Sequence, residues 1–234
     1  TKEASIMDGD EIAAGHSKFV ATSRHLARQQ ESASEEDGDA SETAETETRP
    51  TAEELCEIAP LKDAALALFR PELTPEQFVE LLITNKLYVD AIKILAYYLP
   101  KQEAIWWCLR GVESVSTHEL GEQETSVLDA TTRWLKDPSE QTRRSARTIA
   151  EDMNLDNAAC YVAASAFYSE GSMAPEGLPD VTPAPTLTGQ VVAATLGFLA
   201  ADGDPASAEE RYLELLRLGK EVLDGSLALP SAEE

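Results

Sequence analysis

LYVDAIKILAYYLPKQEAIWWCLRGV, residues Leu87 to Val112, carries more apolar and aromatic surface in fewer residues than any other part of this chain. Leu87, Ala91, Ile94, Leu95 and Tyr98 recur at helical spacing. Ile92, Ala96 and Leu99 widen that stripe until only a strip through Asp90 and Lys93 stays polar. A helix that is apolar over most of its circumference belongs inside a helical assembly, with neighbours on several sides. Pro100 ends it, because proline pushes the preceding residue out of the helical region and is itself suited to a first turn. The stretch reads as two buried helices hinged at Leu99-Pro100.

In the second helix Ile105, Cys108, Leu109 and Val112 form an ordinary core stripe at i, i+3, i+4 and i+7. Glu103, Trp106, Trp107 and Arg110 fall together on the side away from it. Arg110 follows Trp106 by four residues and Trp107 by three, so its guanidinium can stack on an indole or pair with Glu103. Tryptophan and arginine are the types enriched at interface hot spots, which makes this face a candidate partner site. The competing reading is a second layer of helices covering the indoles, which are mostly buried on average.

The pattern Leu99-Pro100-Lys101-Gln102-Glu103-Ala104-Ile105-Trp106-Trp107-Cys108 resembles the centre of an uncharacterised bacterial all-helical domain family with an LPxxEAxWWxC motif. The likeness extends through Trp134 to Glu140 and the Gly171 to Pro175 loop to Arg211-Tyr212, covering about residues 60 to 225. The resemblance implies an association with type VI secretion gene neighbourhoods. It implies no catalytic residues.

A chain of 234 residues with 43% hydrophobic content can bury one substantial core. Nineteen basic residues against 43 acidic ones give a net charge of −24, which repels phosphate backbones and anionic lipid and favours a basic protein partner. Nucleic acid and membrane are therefore not expected ligands. Cys56, Cys108 and Cys160 are widely separated and odd in number, so they read as reduced thiols rather than a metal or redox site. No run reaches the eighteen or so apolar residues that span a bilayer, and no signal-peptide pattern opens the chain. A cytoplasmic location is the expectation.

Residues 1–30 carry a weak apolar pattern, Ile12, Phe19, Val20 and Leu26, that predicts a poorly stabilised helix from about Asp10 to Gln30. Residues 31–49 are rich in Glu and Asp and contain nothing apolar larger than alanine, the composition of a disordered linker. From Pro50 to about residue 225 helical patterns follow one another, leaving residues 226–234 as a tail. Thr51 with Glu54 and Thr74 with Gln77 form capping boxes, and Leu61 to Phe69 reads as a further short helix. Arg143, Arg144 and Arg147 line one side of a helix after Pro138. They offer either an anion site or a solvated face neutralised by Glu140 and Glu151. Gly171 to Thr188 holds Pro175, Pro179, Pro183 and Pro185, which demands an extended connection. Met173, Leu178, Val181 and Leu187 are expected to hold it against the helical body. Apolar residues from Val191 to Ala201 and an amphipathic run from Pro205 to Leu223 complete an all-α, single multi-helix domain of about eight or nine packed helices.

An enzyme needs a nucleophile with its base, paired carboxylates in a cleft, a metal cluster or a phosphate cradle. His16 and His25 lie in the weak N-terminal segment, His118 sits in a loop-like stretch, and there is no HExxH, P-loop or GxGxxG. No cofactor or metal is expected. Binding classes fit better: an adaptor or chaperone of a secretion system holding an effector or apparatus component, or an immunity protein that neutralises a toxin. An enzyme with no recognisable motif is the remaining alternative.

Overall fold

The computed structural model describes residues 11–14, 17–20, 49–153 and 157–231. The chain divides between Thr46 and Glu47. Among the described residues ten α-helices occur: α1 (Ala52–Ile58), α2 (Asp63–Leu66), α3 (Pro75–Thr84), α4 (Tyr88–Tyr98), α5 (Lys101–Val115), α6 (Glu122–Lys136), α7 (Glu140–Glu151), α8 (Ala158–Phe167), α9 (Leu187–Ala201) and α10 (Ala208–Leu223). The all-α reading holds for this body. Local chemistry explains the helix starts. Thr51 accepts from the Glu54 amide while Glu54 reaches back to the Thr51 amide, and Thr74 and Gln77 repeat the exchange with Pro75 in the first turn. Ser139 caps α7, its hydroxyl accepting from the Thr142 amide.

Two expectations of helix change. The helix expected over Leu61 to Phe69 shrinks to the single turn of α2, because Pro60 and Pro71 leave too few residues for a stable helix and Lys62 supplies no side-chain cap. Within the weak N-terminal segment the described backbone is two short strands, Glu11–Ala14 and Ser17–Val20, paired antiparallel with Ile12 opposite Phe19. Gly15 lies between them in sequence, and a glycine there costs a helix about 1 kcal/mol relative to alanine. The rest of that segment and the acidic linker at 31–48 lie outside the described residues.

Leu87 to Val112 does lie at the heart of the body, as α4 and α5. Leu99 and Pro100 are both extended, and Pro100 caps α5 instead of entering its first turn. The other half of the centre is α9, which packs on α4, α5, α8 and α10, while α5 touches α8, α9 and α10. Two glycines allow these helices to approach closely. A Cβ at Gly219 of α10 would stand 2.6 Å from Trp107 Cε2 and 2.6 Å from Leu95 Cδ2. One at Gly111 of α5 would stand 2.7 Å from Leu215 and 2.9 Å from Leu196. The polar strip on α4 is itself used internally: the buried Asp90 carboxylate accepts from the Lys62 amide at 3.2 Å, and Lys93 Nζ donates to the Pro60 carbonyl at 2.6 Å. These bonds staple the α1–α2 connection to α4. A second group, α6, α7 and α8, packs mutually and joins the centre through α8.

The tail is not wholly free, since Leu227 and Leu229 pack on the core and the Leu227 amide donates to Glu221. The proline-rich connection between α8 and α9 meets expectation in part. Met173 and Leu187 are half-buried and Ser169, Ala174 and Pro183 are buried, whereas Leu178 and Val181 are 59% and 50% exposed. The chain closes on itself between Ser172 and Val181, which turns these two side chains outward.

Candidate functional site

Helix α5 separates the four residues that its spacing had grouped. Trp107 is fully buried, its indole Nε1 donating to the Leu215 carbonyl at 2.7 Å. The position belongs to the core, and the partner-site reading fails for it because α10 crosses over that flank of α5 at Gly219. Glu103, Trp106 and Arg110 remain on the outward face, joined by the exposed Glu113. The Arg110 guanidinium lies 5.4 Å from the centre of the Trp106 ring and pairs with Glu113, not with Glu103. Glu103 turns instead to Arg49 at 3.4 Å, and Arg49 itself lies over Tyr98. Trp106 is half-buried and packs against the core. Trp106 Nε1 and Arg110 Nε are buried N–H donors without acceptors among the described residues.

At the N-terminal end of this face lies a cleft of about 420 Å³, lined by Pro100, Lys101, Glu103, Trp134, Ser169 and Glu170 among others. Lys101 Nζ donates to the Ser169 carbonyl at 2.7 Å, tying α5 to the end of α8. Trp134 forms part of the wall, and its indole N–H also lacks an acceptor. The part Trp134 plays in this wall escaped a reading based on periodicity, because it has an unremarkable core position on α6.

The α7 arginines form a separate group with a structural task. Arg143 is fully buried. It donates to Glu140 at 2.7 to 2.9 Å, to the Ser172 carbonyl at 3.0 Å and to the Phe167 carbonyl. Its guanidinium lies 4.6 Å from the centre of the Phe167 ring. Arg144 donates to the same Glu140 at 2.5 Å and to Ser172 at 3.1 Å, and Arg147 pairs with Glu151 at 2.8 Å. Local neutralisation is as the spacing indicates, but the face is not simply solvated: all three guanidinium groups gather around Phe167. Burial pushes the Glu140 carboxyl up, yet the hydrogen bonds from Arg143 and Arg144 outweigh it and leave its pKa below the ordinary value. With every arginine engaged by a carboxylate, this group is poorly disposed to take an anion.

Cys56 and Cys108 are free thiols, and burial pushes the Cys108 thiol up to about 12, which holds it protonated at neutral pH. His118 stands 3.1 Å from Glu124 on an exposed loop. Among the described residues no group of three or more His, Cys, Asp or Glu side chains converges as a metal site, and no helix is long and apolar enough to cross a membrane. What the α5 face can offer is an aromatic–guanidinium surface with a charged rim, a recognition chemistry.

Residues 78–223 match the model of a family of unknown function (DUF6931). No curated protein and no solved structure matches the chain.

Proposed function

Because the chain belongs to this family of unknown function (DUF6931), its role must be argued from its own residues, and we propose that it is a non-enzymatic protein-binding adaptor or chaperone. The observation that carries this reading is the Trp106–Arg110 stack on the outward face of α5, flanked by Glu103 and Glu113. A half-buried tryptophan with a stacked arginine offers a large, nearly rigid contact area at small entropic cost, the composition of a hot spot. The net charge of −24 steers a basic partner towards it. The LPxxEAxWWxC resemblance supports a bacterial setting, with an effector or apparatus component of a type VI secretion system as partner. The same net charge favours a second reading, an immunity protein that neutralises a basic toxin.

The test is co-purification of the full chain with the products of its neighbouring genes, using wild type, Trp106→Ala and Arg110→Ala. Capture should fall roughly tenfold or more in both variants while the melting temperature changes little. Equal capture by all three proteins would overturn the assignment of this face. Rescue of cells from a captured toxin would select the immunity reading over the adaptor.

A further inference from the structure

We propose that the Ser172–Val181 loop is a preformed docking element that places Leu178 in an apolar pocket, rimmed by Lys or Arg side chains, on a basic protein partner. It is an interface beyond the α5 face, and it begins from the failure of Leu178 and Val181 to pack where a buried connection would put them.

The loop is built to hold its shape. The Met173 amide donates to the Val181 carbonyl at 2.8 Å, and Ser172 Oγ accepts from the Ala174 and Val181 amides at 3.1 and 3.0 Å. A turn closes the tip, with the Leu178 amide donating to Pro175 at 3.2 Å across Gly177, whose φ of +82° suits glycine. Pro175 and Pro179 flank that turn and restrict it further. The neck is anchored from below, since the Ser172 carbonyl accepts from both Arg143 and Arg144. Gly171 (φ +64°) brings the neck so close that a Cβ there would stand 2.8 Å from Arg143 Nη2. A wholly buried arginine thus braces a loop whose Leu178 and Val181 side chains face solvent.

Leu178, at 59%, is the most exposed of the large hydrophobic side chains among the described residues, with Val181 at 50% close behind. A single exposed leucine is ordinary. One carried on a braced, proline-restricted turn has already lost the conformational freedom that binding would otherwise cost it. Charge identifies the partner. Glu176 and Asp180 bracket Leu178, and neither forms an ion pair among the described residues. A second copy of a chain with net charge −24 would be repelled, whereas a pocket rimmed by basic residues would gain contacts with both carboxylates around the apolar anchor.

The experiment places a photoreactive phenylalanine analogue at Leu178 of the full chain in the cells that produce it, and maps the cross-linked peptide. The expected product joins Leu178 to an apolar segment flanked by Lys or Arg. With that partner purified, Leu178→Gln should weaken binding roughly tenfold or more, and Glu176→Lys with Asp180→Lys should weaken it further and flatten its salt dependence. Wild-type melting behaviour in these variants, and binding that persists in Trp106→Ala, would mark the loop as an interface separate from the α5 face. Cross-links only to another copy of this chain, no cross-link at all, or a partner whose affinity ignores Leu178→Gln would each overturn the proposal.

Discussion

Replacing Gly219 by alanine tests the central packing, because two opposing effects of known size meet at one atom. In an isolated helix the change would stabilise α10 by about 0.5–1 kcal/mol through the unfolded chain's lost freedom. Here the new methyl would meet Trp107 Cε2 at 2.6 Å, Trp107 Cζ2 at 2.8 Å and Leu95 Cδ2 at 2.6 Å. The indole has no room to swing aside: it is fully buried, and its N–H is held by the Leu215 carbonyl at 2.7 Å. Overpacking of this kind costs about 1–3 kcal/mol, so Gly219→Ala should lose about 1–2 kcal/mol net. For a chain of this length that is a fall of roughly 2–8 °C in melting temperature. Gly197 on α9 is the control, since a Cβ there meets nothing within 4 Å. Gly197→Ala should gain about 0.5–1 kcal/mol. Urea unfolding followed by tryptophan fluorescence measures both. If Gly219→Ala proves as stable as Gly197→Ala, α10 does not cross α5 at Trp107 as described.

Leu95→Ala should cost about 2–5 kcal/mol in the same assay, because Leu95 is fully buried between α4 and α10; a loss under about 1 kcal/mol would remove α4 from the core. Arg143→Met should lose about 2–4 kcal/mol by leaving the Phe167 and Ser172 carbonyls without this donor, whereas Arg144→Ala should lose under about 1 kcal/mol, and equal effects would refute the bracing role. The depressed Glu140 pKa predicts a contribution to stability that is complete above the ordinary value of 4.5 and is lost as pH falls through the lower folded value. Glu140→Gln should therefore be less stable than wild type at pH 7, and the gap should narrow as pH falls below 4.5, as read by thermal melts across that range.

Periodicity and punctuation alone determine most of the helical plan of this chain. The stripe of Ile94 and Leu95, the hinge at Leu99-Pro100, the caps at Thr51 and Thr74 and the prolines after Gly171 are local features, and each element obeys them. The Arg110–Trp106 stack is local as well, since residues four apart on a helix meet whatever surrounds them. The fate of neighbouring faces is decided elsewhere. Trp106 and Trp107 are adjacent and chemically identical, yet one reaches the surface and the other lies buried, because Leu215 and Gly219 arrive from α10 to cover a single flank. Arg143 reads as a surface cation until the carbonyls of Phe167 and Ser172 close over it, and Leu178 reads as a core residue until the loop seals at Val181 and turns it outward. A helix's pattern records which residues can be buried together; which of them are covered depends on segments distant in the chain, and only tertiary packing brings those into contact.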